Sequence, residues 1–103
     1  GDILELSLAR PDKRNALTPE MLTTLRAHVA ACDRSARVLF LSGQGPAFCA
    51  GFDLSLCKDH PDGSVMRALL SGLHDCIAAL RSLDMPVVVA AHGHQPAAGE
   101  PGA

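Results

Sequence analysis

The chain has 103 residues, 48% of them hydrophobic and 19% charged, an ordinary balance for a core-forming segment and one that excludes wholesale disorder. At this length it forms one domain at most, burying about two-thirds of its unfolded surface with a thin stability margin. A net charge of −2, no Trp, no Tyr and three Phe exclude the broad basic surface and stacking platform of a nucleic-acid binder, though a local anion site stays open.

The four cysteines, at 32, 49, 57 and 76, form no Cys-x-x-Cys pair, and the N-terminus lacks a secretory pattern. Free thiols in a reducing cytoplasm are therefore expected. No apolar run approaches the roughly 20 residues of a membrane span, so no membrane partner is expected.

Leu4, Leu6 and Leu8 alternate with Glu5 and Ser7, the period of a strand with one buried face, and Pro11 closes it. A polar loop from Arg10 to Asn15 leads to Thr18-Pro19-Glu20, a strong helix start. Thr18 can cap free amides, Pro19 suits the first helical position, and Glu20 complements the dipole. This helix is expected to reach about Cys32, with Met21, Leu22, Leu25 and Val29 as its core stripe.

Val38-Leu39-Phe40-Leu41 is an unbroken apolar run before Ser42-Gly43, expected to be a strand buried on both faces. A second helix is expected from about Ser64 to Met85-Pro86, with Leu69, Leu70, Leu73, Ile77 and Leu80 as its apolar stripe. Val87-Val88-Val89 then reads as another strand buried on both faces. The order strand, helix, strand, helix, strand predicts an α/β domain over residues 1–93, its helices covering a largely parallel sheet. Residues 94–103 lack periodicity and are expected to form an irregular tail.

Ligands of α/β sheets gather at the carboxyl ends of strands, which singles out the loops after Leu41 and Ala91. In Ala47-Phe48-Cys49-Ala50-Gly51-Phe52-Asp53 the small residues expose backbone N–H groups. Amides converging on a carbonyl oxygen stabilise negative charge developing there. On spacing alone, a tight turn before a helix explains the same residues.

Other chemistries find less support. His92 and His94 form a His-x-His pair at a strand end, but two ligands are too few, and no metal is expected. Gly43-x-Gly45-x-x-Phe48 lacks the third glycine of a dinucleotide loop. Cys49 has no histidine placed by sequence to activate it and is expected to serve packing.

Four segments in order resemble landmarks of the enoyl-CoA hydratase/isomerase (crotonase) family: Arg10 to Leu17, Val38 to Gly43, Ala47 to Leu54, and Met85 to Gly93. The resemblance covers residues 2 to 93, well under half of a usual family domain. It implies the crotonase fold, a spiral of strand-strand-helix units present here only in its N-terminal portion and usually assembled as trimers or pairs of trimers. It implies an acyl-CoA thioester as substrate, with coenzyme A entering as part of that substrate and no separate cofactor.

Residue by residue, the resemblance implies that the main-chain N–H of Ala50 is the first oxyanion-hole donor. Phe48, Gly51, Phe52, Asp53 and Leu54 would line the coenzyme A site around it. Lys13, Arg14 and Ala16 match the family loop that passes the nucleotide, where cationic side chains meet phosphates. A solvated basic turn is the plainer account of Lys13 and Arg14. Asp53 is expected to cap the stretch that follows rather than to catalyse.

After Gly93 the sequence departs from the family's small-residue run. Aligned without gaps, the second oxyanion donor falls on Ala98 and the hydratase glutamate on Pro101, which cannot act as a base, with Glu100 one residue away. No catalytic acid or base is assigned, and the tail is expected to reflect truncation or a reading-frame artefact. Two functions follow from the resemblance: an acyl-CoA-processing enzyme that stabilises an enolate-like anion of the thioester, or a catalytically incomplete acyl-CoA-binding or assembly module. Fold-level kinship does not choose among hydration, isomerisation, thioester hydrolysis and dehalogenation.

Overall fold

A computed structural model describes residues 2–91 of the chain. Strand β1 spans Ile3–Leu8, helix α1 Pro19–Ala30, strand β2 Val38–Gly43, helix α2 Ser64–Arg81 and strand β3 Val87–Val89, with short 3-10 turns at Pro11–Lys13 and Leu54–Cys57. The strands form one all-parallel sheet in the order β1-β2-β3. The expected alternation and the parallel sheet are both present.

Register explains which residues go inside. Leu4 pairs with Leu39, Leu6 with Leu41, and Leu41 with Val89, so one face of the sheet is an aliphatic surface, to which β1 also adds Leu8. Helices α1 and α2 pack on one another and on that face. Val29, Leu39, Leu83 and Met85 centre one part of the core, and Leu22, Leu69 and Cys76 the other. Gly72 lets the helices approach closely, since a Cβ there would stand 3.1 Å from Leu22.

Local signals account for the element ends. Thr18 caps α1 as expected, its Oγ1 accepting the Met21 N–H at 3.1 Å, with Pro19 at the first helical position. Helix α1 ends at Ala30, two residues before the expected Cys32, and α2 ends at Arg81, leaving Leu83 and Met85 to pack as a buried connection.

Two expectations are corrected. Leu70 and Ile77 of α2 are 54% and 40% exposed, while Cys76, outside the expected stripe, is buried. The stripe that faces the core is 69, 73, 76, 80, stepping four, three, four; positions 70 and 77 lie one residue around the helix from it. The strands β2 and β3 are also not buried on both faces. On the side opposite the helices, Val38 and Phe40 of β2 are only half-buried and Val88 of β3 is 45% exposed, and among the described residues both helices lie on the other side. A run of valines and leucines shows that a strand is apolar on both sides, without showing what covers the second one.

Candidate functional site

Parallel pairing brings the carboxyl ends of all three strands to one side of the sheet, and with them the loops after Leu8 and Gly43. Those loops are stitched together by directional bonds. Leu17 forms an isolated parallel bridge with Phe52: its N–H donates to the Gly51 carbonyl at 2.7 Å, and its own carbonyl accepts from Asp53 N–H at 2.9 Å. The Arg10 guanidinium meets Asp53 Oδ2 at 2.9 Å and donates to the Ala16 carbonyl at 2.9 Å.

Asn15 is the hub between the loops. It is completely buried, accepts the Arg10 N–H on Oδ1 at 2.8 Å, and donates from Nδ2 to the carbonyls of Gln44 at 2.9 Å and Ala47 at 2.8 Å. Arg14 and Asn15 both sit in the left-handed region, with φ of 54° and 58°, a conformation that Asn tolerates better than most residues. Sequence reasoning did not single out Asn15 or Arg10. The available signal was an Asn closing a polar loop, which is a weak one.

The loop that carries Ala50 runs between these anchors. The amides of Phe48, Cys49 and Ala50 enter no hydrogen bond among the described residues, whereas Gly51 N–H lies 3.4 Å from Cys49 Sγ. Ala50 is therefore not locked in ladder pairing. Gly51 has a φ of 94°, which turns the chain so that its carbonyl meets Leu17. Gly43 is required by proximity, because a Cβ there would collide with the Phe48 carbonyl as the loop passes over the end of β2.

Beneath the loop lies a cavity of about 280 Å³, between the strand ends and the two helices. Leu8, Leu41 and Val89 line it from the strands, Phe48 and Cys49 from the loop, and Ile77 from α2. Its lining is apolar. Burial pushes the neighbouring Cys76 thiol above its ordinary value, and the thiol donates to the Leu22 carbonyl at 3.1 Å, so it is an inert core group. A larger cleft of about 440 Å³ lies along β1 beside α1, from Glu5 to His28.

The other residues expected at the site fall as follows. Lys13 and Arg14 are exposed on the loop before α1, and Ala16 is half-buried beside them. The half-buried Phe52 side chain packs against the core of Leu22, Leu69 and Cys76, and Leu54 is exposed. Asp53 caps the 3-10 turn at Leu54–Cys57, accepting from the Ser55 hydroxyl at 2.5 Å and its N–H at 3.2 Å. Those bonds from Ser55, and then the Arg10 guanidinium, hold its carboxyl below the ordinary value of 3.8.

Ala98, Glu100, Pro101, His92 and His94 lie outside the described residues. Among the described residues, no three of His, Cys, Asp or Glu come together as a metal site would require, and no helix is long and apolar enough to cross a membrane. The four cysteines are free thiols.

A three-stranded parallel sheet whose strand ends carry a small-residue amide loop, fastened to the segment before α1, defines an α/β unit with a candidate site at its strand ends. Comparison with known proteins places it. The enoyl-CoA hydratase/isomerase family model matches residues 1–101, and the chain belongs to that family. It is 41% identical over 101 residues to the probable enoyl-CoA hydratase echA6 of Mycobacterium tuberculosis, covering 94% of this chain and 38% of that protein. It is 30% identical over 101 residues to the mitochondrial enoyl-CoA hydratase domain-containing protein 3 of Danio rerio, covering 96% and 35%.

Among solved structures, an enoyl-CoA hydratase from Polaromonas superposes with a TM-score of 0.79 at 31% identity, covering 90% of this chain and 38% of that one. One from Bacillus anthracis does so with a TM-score of 0.79 at 27% identity, covering 89% and 36%. The fold is thus the N-terminal part of the crotonase fold. The chain spans under two-fifths of the length of the curated relatives it matches.

Proposed function

We propose that this chain forms the front part of an acyl-CoA site in an enzyme of the enoyl-CoA hydratase/isomerase family, with the Ala50 N–H donating to the thioester carbonyl oxygen. The observation that supports this most is the unpaired Ala50 amide, held between two anchored residues at the strand ends and over an apolar cavity. A fixed donor aimed at that oxygen stabilises the enolate-like anion formed when the carbon beside the carbonyl gains negative charge. The acyl group is assigned to the 280 Å³ cavity rather than the larger cleft, because the smaller one is lined by residues adjoining Ala50. Lys13 and Arg14, exposed and cationic, suit the coenzyme A phosphates, and Ala98 is proposed as the second donor.

Titration calorimetry with crotonyl-CoA and with free coenzyme A tests this reading. Crotonyl-CoA is expected to bind more tightly, and equal affinities would remove the role assigned to the thioester oxygen.

Acyl-CoA binding without turnover is the second reading, and one observation favours it. Asp53 is the sole carboxylate in segment 44–58, and it is engaged by Ser55 and Arg10, so that segment offers no free carboxylate to act as acid or base. Measuring hydration of crotonyl-CoA separates the two: turnover by this chain would discard the binding-only account.

A further inference from the structure

The polar contacts at the ends of β1 and β2 converge on a side chain that the acyl-CoA reading leaves without a task. Every polar atom of the Asn15 side chain is used: Oδ1 by the Arg10 N–H, and Nδ2 by the carbonyls of Gln44 and Ala47. Two residues further along the same loop, Leu17 N–H holds the Gly51 carbonyl at 2.7 Å. Segment 47–51 is therefore clamped at both ends by one neighbouring loop, and the amides of Phe48, Cys49 and Ala50 lie between the clamps. Ala47 and Ala50 are three residues apart, a reach of at most about 10 Å, so play at Ala47 is passed almost directly to the Ala50 amide.

We propose that Asn15 is a positioning residue for the thioester site: by fixing the Ala47 end of the loop it sets where the Ala50 N–H points, and hence how strongly that amide polarises a bound carbonyl. The inference rests on the acyl-CoA reading above. A donor stabilises developing charge only if it is already in place, and misplacement by about 1 Å can cost on the order of a hundredfold in rate. The opposite side of the contact is equally tight, since a Cβ on Gly43 would stand 2.8 Å from Asn15 Nδ2 and would also strike the Phe48 carbonyl.

Two substitutions in the full chain test it. Asn15→Gly keeps the left-handed backbone while deleting the three side-chain bonds. Gly43→Ala keeps Asn15 and pushes the loop away from it, and it carries the test if Asn15→Gly does not fold. Nitrogen-15 order parameters at 48–50 are expected near the rigid value of about 0.85 in the unsubstituted chain and below about 0.6 in either variant. With crotonyl-CoA labelled at the thioester carbon, the carbonyl stretch should fall on binding to the unsubstituted chain and fall at most half as far in the variants. Crotonyl-CoA affinity should drop several-fold while free coenzyme A affinity stays within twofold.

Mobile 48–50 amides in the unsubstituted chain, or an unchanged carbonyl shift in the variants, would overturn the positioning role. Equal losses for both ligands would also overturn it, by showing a purely structural effect. Absence of any shift in the unsubstituted chain would instead sink the donor role of Ala50, leaving the order parameters to judge the clamp.

Discussion

The layer between helices and sheet and the pair of loops at the strand ends are held in different ways. In the first, Leu22, Val29, Leu39 and Leu69 are buried among other aliphatic groups, where burial is non-directional and scales with area. In the second, positions 10–17 and 44–53 are joined by Asn15, by the Arg10–Asp53 pair and by the Leu17 bridge, each of which depends on the placement of individual atoms. The aliphatic layer makes the fold possible and tolerates exchange of one branched side chain for another. The contacts of the loop pair flank the segment that carries the Ala50 amide on both sides.

The comparison breaks most visibly if the aliphatic layer is opened. Leu39→Ala, at a fully buried position, is expected to lose about 2–5 kcal/mol in urea unfolding, enough to unfold much of a chain this short. A loss below about 1 kcal/mol would mean that the core is far looser than its burial indicates. Asn15→Ala is expected to lose about 1–3 kcal/mol, because it leaves the buried carbonyl of Ala47 unpaired and removes the bond to the Gln44 carbonyl.

Thr18→Ala should cost about 1 kcal/mol by removing the cap of α1, read as a lower urea midpoint with an unchanged slope. Leu70→Gln should change stability by less than about 0.5 kcal/mol, and a large loss would contradict the exposure that displaced Leu70 from the core stripe.

Acid sharpens the comparison from the loop side. The Asp53 carboxyl titrates below its ordinary value of 3.8 when folded, because Ser55 and then Arg10 stabilise the charged form. Its contribution is thus fully present above the unfolded value and disappears as pH falls through the folded one. Asp33 and Asp62 are lowered in the same direction by Ser35 and Ser64, so a general loss of stability is expected below about pH 4. Asp53→Asn should flatten that acid limb in a urea-unfolding series, and a limb as steep as the original would show that the Ser55 and Arg10 contacts to the carboxylate contribute nothing.

Much of the local structure is legible in the chain itself because its causes are local. Thr18-Pro19-Glu20 starts a helix by capping, Leu4-Leu6-Leu8 alternates as a half-buried strand, and Asp53 caps the turn after it through a residue two positions away. Of the landmark segments that resemble the enoyl-CoA hydratase/isomerase family, 10–17 and 47–54 follow the carboxyl ends of β1 and β2 and 38–43 is β2 itself, and the family match agrees with them. The α2 stripe was harder: Leu70 and Cys76 exchange roles because helical periodicity leaves the edges of an apolar face open by about one residue.

The sequence by itself determined the order of elements, their starting caps and the aliphatic character of the strands, since each depends on neighbours within a few positions. Only the tertiary structure decided that Asn15 reaches Ala47, that Arg10 pairs with Asp53, and that Leu17 bridges Phe52, contacts across 32, 43 and 35 residues, respectively, of chain. Such contacts exist because β1 and β2 lie parallel and bring their ends together. No periodicity or local propensity carries that information.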